Sequence, residues 1–403
     1  MITIQQARAV VLEHGGEALP AERVPVASAV GRVLCEPVAA DGDLPPFDRV
    51  MMDGYAVHAE DTACAAGDGE ARLHVVAEVA AGDTGEQTVG KGEAHEIMTG
   101  APLPPGADSV VPVEWTARQG EEVLIDRTVK RGQHVAPRGE DMSVGQQIAA
   151  PGDRVTALSL SLLIASGAGE VAVVRRPRVA LLTSGNELVP PGAPIRRGQI
   201  RESNGPALAS MFASVGADVV NLGVARDTRE ALAEKLGEAE EADVVVLTGG
   251  SSVGKYDLSA EVVEAAGGVG HFDKLSVKPG KPTIFHTRGA QLIFCLPGNP
   301  VAALMTGRVL VCAAIAARAG LAPPTWNERS LPLLGSVKRN PQRDLLIPVR
   351  REGDGLRFDG WHGSGDLNCM ARAEGFGFVA RGDEPAGAGT LLDWFPLAGA
   401  PAW

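Results

Sequence analysis

The stretch DVVVLTGGSSVG (residues 243–254) decides the fold, because a short apolar run passes directly into a glycine-rich turn. Such a run, bounded by turn residues, is typical of a buried strand. VALLTSG (179–185), DVVNLGV (218–224) and AQLIFCLPG (290–298) repeat the pattern. Helical patterns at 206–217, 228–242 and 258–268 alternate with these runs, and residues 300–320 predict a long buried helix. The alternation predicts β-α-β units and a parallel sheet covered on both faces by helices.

The rest of the chain has a different texture. Residues 4–14 predict a helix with Thr3 as its N-cap. Short apolar runs interrupted by Gly, Pro and Asp at 73–150 predict an all-β region, and 156–167 predict another helix. After a proline-bearing linker at 321–330, the pattern returns to short strands, as in a small β domain.

Composition excludes several classes of function. A chain of 403 residues predicts two to four domains. A net charge of −13 argues against nucleic-acid binding, and the lack of an apolar run near the ~20 residues of a membrane helix argues against a membrane span. Five widely spaced cysteines and the lack of an export signal predict a reduced, cytoplasmic protein without a zinc site.

Candidate ligand groups collect at the ends of the predicted strands. Three carboxylates follow them, Glu187, Asp227 and Asp257, and a basic segment at 274–288 carries Lys274 and Lys278. Since ligands bind beyond the carboxyl ends of such strands, these groups predict a phosphate site with Mg²⁺ held by the three acids. A surface loop and helix N-caps are the alternative interpretations of the same residues. The glycine turns and the lysines supply the candidate substrate-binding residues Gly249, Gly250, Ser251, Ser252, Gly254, Lys274, Lys278, Pro297, Gly298, Asn299 and Pro300.

GSSVG (250–254) also fits a nucleophile elbow, in which Ser252 would attack an acyl carbon. Asp257 or Asp273 followed by His286 has the chain order of a hydrolase triad. However, His286 lies within a predicted strand and the next helix begins only near Leu258, so Ser252 would lack the helix N-terminus behind it. The spacing therefore favours an anion cradle of backbone amides over a serine hydrolase.

Seven motifs together resemble one family. They are PPFDRVMMDGYAV (45–57), IMTGAPLPPGADSVVPVE (97–114), RGEDMSVGQ (138–146), TSGNELV (183–189), TGGSSVGKYD (248–257), KLSVKPGKP (274–282) and LPGNPVAAL (296–304). In this order they look like those of the molybdopterin molybdenumtransferases, the bacterial MoeA type and the E-domain of gephyrin. The resemblance runs from about residue 3 to 380.

The resemblance implies a multidomain α/β fold in an elongated subunit. A helical and β domain I would comprise 1–43 and 145–176, with a β insertion, domain II, at 44–144. An α/β domain III of molybdopterin-binding type would comprise 177–328, and a β-barrel domain IV would comprise 329–403.

The resemblance also implies an activity: molybdate and adenylylated molybdopterin are converted to molybdenum cofactor and AMP, with Mg²⁺. It further implies a homodimer whose sites are shared between subunits, and a molybdopterin adenylyltransferase as partner. A non-catalytic scaffold that holds the pterin is the alternative within the same family.

Carried over position by position, the family's catalytic residues correspond to Asp53, Thr99, Asp141, Glu187, Asp227 and Asp257. Its lysines correspond to Lys274 and Lys278, and its prolines to Pro297 and Pro300. The chain departs from the family where Arg201 and Glu202 replace a tyrosine and an aspartate, where Ser251 replaces a common valine, and at Lys255 and Gln342.

Overall fold

The computed structural model describes residues 1–67, 69–249, 258–323, 326 and 329–397. The chain divides into two compact units. One comprises Met1–Glu22, Gly31–Val33 and Val173–Trp403, and the other comprises Arg23–Val30 and Leu34–Ala172. The five-segment division predicted from the resemblance stays a prediction.

The first helix, α1 (Ile4–Gly15), begins as predicted. The Thr3 hydroxyl accepts a hydrogen bond from the Gln6 amide at 3.2 Å, and the Gln6 side chain accepts one from the Thr3 amide at 2.9 Å. This reciprocal pair is a capping box. The strands β1 (Ala21–Pro25) and β2 (Val38–Ala39) follow.

The second unit is built on a six-stranded sheet, which confirms the predicted all-β region. The strands of this part of the chain are β3 (Arg49–Val50), β4 (Gly54–Val57), β5 (Ala71–Val79), β6 (Glu93–Ile97), β7 (Ser109–Pro112), β8 (Thr116–Gln119), β9 (Glu122–Ile125), β10 (Val135–Ala136) and β11 (Gln147–Ala149). The sheet order is β7-β4-β6-β5-β9-β8, and β3–β10 and β2–β11 form small antiparallel pairs. Separate apolar clusters cover the two faces of the sheet. The predicted helix at 156–167 is α2 (Ala157–Ala165), and β12 (Glu170–Val174) follows it.

The α/β part contains every strand and helix predicted for it. Its elements are β13 (Arg178–Ser184), β14 (Leu188–Val189), β15 (Ile200–Arg201), α3 (Asn204–Ser214), β16 (Asp218–Ala225), α4 (Arg229–Gly237), β17 (Val244–Thr248), α5 (Leu258–Ala265), β18 (Val269–Phe272), β19 (Val277–Lys278), β20 (Ile284–Arg288), β21 (Gln291–Leu296), α6 (Pro300–Thr306) and α7 (Cys312–Arg318). The central sheet has the order β16-β13-β17-β21-β20-β18.

The expectation of a purely parallel sheet is wrong in one strand. β16, β13, β17 and β21 are parallel, but β20 is antiparallel to both of its neighbours. Only Gly289 and Ala290 separate β20 from β21, and Gly289 has a φ of 59°. A two-residue connection forms a hairpin, whereas a parallel pair needs a crossover of a dozen or more residues.

Helices cover both faces of this sheet, as the continuous apolar runs predicted. Along β13, Val179 and Leu181 belong to the cluster that includes residues of α1, α6 and α7. The alternate residues Ala180 and Leu182 belong to the cluster that includes residues of α4 and α5. Successive side chains of a strand point to opposite faces, so a strand buried on both faces is apolar throughout.

The long helix at Pro300–Arg318 joins α6 to α7 through a π-helical turn at Gly307–Val311. By length and composition it could cross a membrane, which the search for apolar runs did not anticipate. However, 72% of its apolar window is buried inside the protein, as for a core helix.

The C-terminal strands form a closed β sheet. They are β22 (Ser330–Pro332), β23 (Asp344–Glu352), β24 (Gly355–Arg357), β25 (Gly375–Val379) and β26 (Leu391–Pro396), in the order β23-β25-β26-β22, with β24 on β23. An isolated β-bridge between Leu333, the residue after β22, and Leu356 of β24 closes the sheet. These strands enclose a cluster that includes Ile347 and Trp394, and β19 pairs in parallel with β23 at the margin of the sheet.

Candidate functional site

A cavity of about 830 Å³ lies at the carboxyl ends of β13, β16, β17 and β21. The parallel register brings these ends to one edge, where predicted ligand groups from distant parts of the sequence meet. The residues that line it include Ser184, Glu187, Glu202, Asn204, Asp227, Gly249, Lys278, Lys281, Gly298, Arg343, Trp361 and Ser364.

Two of the three predicted metal ligands line the cavity. The Oδ2 atom of Asp227 accepts a hydrogen bond from the Asn186 amide at 3.2 Å, while its Oδ1 atom is buried without a partner. Glu187 is exposed at the same edge. Asp257 lies outside the described residues.

The turn after β17 passes very close to the turn after β13. Gly249 has a φ of 96°, and a Cβ added to it would lie 2.1 Å from the Ser184 carbonyl oxygen. Glycine is therefore required here both by conformation and by space. The remaining residues predicted for this turn, Gly250, Ser251, Ser252 and Gly254, lie outside the described residues.

The turn after β21 is tied to the floor of the cavity by two hydrogen bonds. Thr248 donates its hydroxyl to the Pro297 carbonyl at 3.1 Å, and the Nδ2 atom of Asn204 donates to the Gly298 carbonyl at 2.8 Å. Asn299 and Pro300 follow, with Pro300 as the first residue of α6. All four predicted residues of this turn, Pro297 to Pro300, line the cavity.

The basic side of the cavity combines two segments that are distant in sequence. Lys278 and Lys281 come from the predicted basic segment, and Arg343 immediately precedes β23. The parallel register of β19 with β23 pairs Val277 with Asp344 and Lys278 with Leu345, so the chain around Arg343 runs beside the segment that carries Lys278. Lys274 is not among the residues that line the cavity; its Nζ atom lies 3.3 Å from the exposed carboxylate of Asp273.

Sequence reasoning missed several lining residues as site candidates: Ser184, Glu202, Asn204, Lys281, Arg343, Trp361 and Ser364. Glu202 lies two residues before α3, and Asn204 is the first residue of that helix. Sequence reasoning assigns polar residues at such positions to helix capping. Each of the two residues is only 7% exposed, and this burial distinguishes them from ordinary capping residues on the surface. Arg343, Trp361 and Ser364 belong to the C-terminal part of the chain, and no local signal in their sequence links them to the cavity.

The remaining predicted catalytic residues lie in the other unit. Asp53 accepts hydrogen bonds at 2.7 Å from both the amide and the hydroxyl of Thr99. The Thr99 amide and then its hydroxyl lower the pKa of the Asp53 carboxyl. Asp141 is exposed, with an Arg49 guanidinium nitrogen 3.9 Å from its carboxylate. All three side chains are accessible to a ligand.

The histidine required by the serine-hydrolase interpretation is badly placed. His286 pairs with Ile293 in the middle of the sheet, and Ile293 in turn pairs with Val245, three residues before the end of β17. Its Nε2 atom lies 3.5 Å from a carboxylate oxygen of Glu264, and it is 1% exposed. A general base needs a ring nitrogen that a substrate can approach, and His286 is buried within the sheet.

The donor set agrees with a hard divalent cation. Glu187 and Asp227 offer carboxylate oxygens, the ligands that Mg²⁺ prefers, and the Oδ1 atom of Asp227 lacks a partner. Among the residues that the structure describes, no group of three or more His, Cys, Asp or Glu side chains could hold a metal ion. Glu187 and Asp227 are therefore the two described side chains that would hold such an ion.

Two family models match the chain. The MoeA N-terminal region (domain I and II) matches residues 2–167, and the probable molybdopterin binding domain matches residues 180–317. The second match spans the strands and turns that form most of the cavity.

Full-length relatives extend the similarity. The chain is 34% identical over 408 residues to molybdopterin molybdenumtransferase 2 of Mycobacterium tuberculosis, covering 98% of this chain and 100% of that protein. It is 37% identical over 289 residues to a molybdopterin molybdenumtransferase of Nostoc sp., covering 71% and 66% respectively. A crystal structure of the molybdopterin biosynthesis MoeA protein from Pyrococcus horikosii matches with a TM-score of 0.79 and 33% identity, over 98% of this chain and 99% of that one. The chain belongs to the molybdopterin molybdenumtransferase family.

Proposed function

We propose that the protein inserts molybdate into adenylylated molybdopterin and releases AMP. The observation that carries the proposal is the cavity at the strand ends, where acids, glycine turns and cationic side chains surround enough space for a nucleotide-sized ligand. Membership in the family supports the same reaction.

The cationic side chains and backbone amides of the cavity suit a reaction between two anions. Lys278, Lys281 and Arg343 attract an anion and neutralise charge that develops on it. Backbone N–H groups at the tight Gly249 turn would donate hydrogen bonds to phosphate or molybdate oxygens. Binding the two anions side by side replaces a bimolecular encounter with a positioned pair.

Glu187 and Asp227 would hold Mg²⁺, with Asp257 proposed as a third ligand. When bound, the ion would stabilise negative charge on the phosphoanhydride as it is cleaved. Asp227 is already oriented by the Asn186 amide, which leaves its second oxygen free for the cation.

The direct test is AMP release. Purified protein with adenylylated molybdopterin and Mg²⁺ should release stoichiometric AMP when molybdate is added. A family member that acts as a scaffold would bind the pterin but release no AMP. That result would replace the enzymatic proposal with the scaffold alternative.

We also propose that the protein is a cytoplasmic homodimer that receives its substrate from a molybdopterin adenylyltransferase. If Asp53 acts in the site of the other subunit, Asp53→Ala and Asp227→Ala subunits should complement each other on mixing. Random pairing makes half of the dimers mixed, each with one intact site, so activity should recover to roughly a quarter of wild type. No recovery would mean that each chain supplies both residues to its own site.

A further inference from the structure

Glu202 is a buried acid on the wall of the cavity, and its two oxygens have different surroundings. The Oε1 atom accepts hydrogen bonds from the Gly205 amide at 2.7 Å and from the Thr183 hydroxyl at 3.4 Å. No donor from the described part of the chain lies within hydrogen-bonding distance of Oε2. That atom is also not fully buried. The second oxygen therefore keeps accessible surface, and Glu202 is one of the residues that line the cavity.

The fixed oxygen orients the free one. The Gly205 amide and the Thr183 hydroxyl belong to α3 and β13, two packed elements of the α/β part, so the carboxylate has little rotational freedom. A residue that is 7% exposed and oriented in this way loses little entropy when a ligand binds. This arrangement is typical of a group that selects a ligand.

Charge is distributed unevenly around the cavity. The basic residues Lys278, Lys281 and Arg343 come from the segments around β19 and β23, whereas Glu202 lies beside β13. In the sheet, β13 is two strands from β21, and the basic segment lies beyond β21, between β18 and β20. A ligand that spans the cavity needs an anionic end and, at Glu202, an end that donates hydrogen bonds.

A carboxylate oxygen in a buried position selects N–H groups and rejects acceptors. The pterin ring carries such donors at its 2-amino group and the adjacent N3–H. The 6-amino group of adenine is the other candidate donor, but acceptor nitrogens flank it on both sides and would face the carboxylate unfavourably.

We propose that Glu202 is a specificity-determining residue whose free oxygen accepts a hydrogen bond from the 2-amino edge of the pterin. The assignment rests on the proposed function, because that function supplies the pterin. It does not require turnover, so binding alone tests it.

Pterin and lumazine make a matched pair of probes, because lumazine has a carbonyl oxygen in place of the 2-amino group. Quenching of their fluorescence reports binding to the full-length protein. Wild type should prefer pterin by roughly 10- to 100-fold, the worth of one hydrogen bond to a charged group. In Glu202→Gln the amide can still accept from Gly205 while its NH₂ group faces the ligand, so the preference should be lost or reversed in favour of lumazine.

Glu187→Gln is the matched control, since it removes an equal charge from the same cavity and should leave the pterin-to-lumazine ratio unchanged. Glu202→Asp keeps an acceptor and should keep the preference for pterin, with weaker binding, even if Glu202→Gln does not fold. An unchanged ratio in folded Glu202→Gln would overturn the assignment, as would failure of wild type to discriminate. If Glu202→Gln weakened the binding of AMP but left the binding of pterin unchanged, Glu202 would recognise adenine instead, and the assignment to pterin would be wrong. AMP release by wild type, measured separately, tests the proposed function on its own.

Discussion

Gly249→Ala should destabilise the protein far more than an alanine placed at another glycine with nearly the same φ. Gly249 has a φ of 96°, and Gly216 has a φ of 97°, but a Cβ at Gly216 would have no atom within 4 Å. Both substitutions place an L-residue in a left-handed conformation, which costs about 1–2 kcal/mol. Gly216→Ala therefore measures the conformational cost alone.

The steric cost at Gly249 adds to this. The new Cβ would lie 2.1 Å from the Ser184 carbonyl oxygen, although real Cβ contacts under 3.0 Å are essentially never seen. Backbone at the cavity floor must then shift by about 1 Å, and such overpacking costs about 1–3 kcal/mol. We expect Gly249→Ala to lower the free energy of unfolding by about 2–5 kcal/mol in total.

Urea titration of both variants gives the stability difference, and AMP release gives the functional one. A displacement of about 1 Å at a positioned site can reduce the rate on the order of 10²-fold, whereas Gly216→Ala should retain wild-type turnover. If the two variants match in stability and in rate, the close approach of the two turns plays no part in the site.

Three further changes test other parts of the reasoning. Asp227→Asn should reduce AMP release on the order of 10²–10³-fold while pterin still binds, and near-normal turnover would remove Asp227 from the metal site. Lys278→Ala should raise the Kd for the anionic substrate and flatten its salt dependence, whereas Lys274→Ala, outside the cavity lining, should not; equal effects in the two variants would contradict the assignment. Burial lowers the pKa of His95, whose ring nitrogens both lack partners, so below about pH 6.5 the unfolded chain takes up protons that the folded chain resists. The free energy of unfolding should therefore fall as the pH drops from 6.5 towards the lowered pKa. In His95→Phe the midpoint of urea unfolding should depend less on pH over that range.

Local patterns were sufficient to predict most of the elements. Thr3 caps its helix as expected, because a capping box depends on neighbours three residues away, and Thr156 forms the same motif at the start of α2. The gathering of Glu187 and Asp227 at one edge was also predictable, since parallel strands have their carboxyl ends on the same side.

What could not be predicted depends on pairings between distant segments. Arg343 reaches the cavity because β23 pairs with β19, and neither strand signals its partner. The role of Glu202 was hidden for a similar reason. Its position before α3 suggests a capping residue, and its hydrogen bond from Gly205 is indeed of that kind. Only the three-dimensional structure shows that the other oxygen remains available.

The reversed strand explains why the basic segment lies where the sequence placed it. Because β20 is antiparallel to β18 and to β21, β18 runs in the same direction as β21. β18 therefore ends, and β20 begins, at the carboxyl edge of the sheet, and the connection between them, 273–283, must lie at that edge. In a sheet with β20 parallel to its neighbours, the chain leaving β18 would have to return to the opposite edge, which would carry Lys278 and Lys281 away from the acids. The hairpin that contradicts the purely parallel prediction is thus the feature that brings the cationic side chains to the cavity.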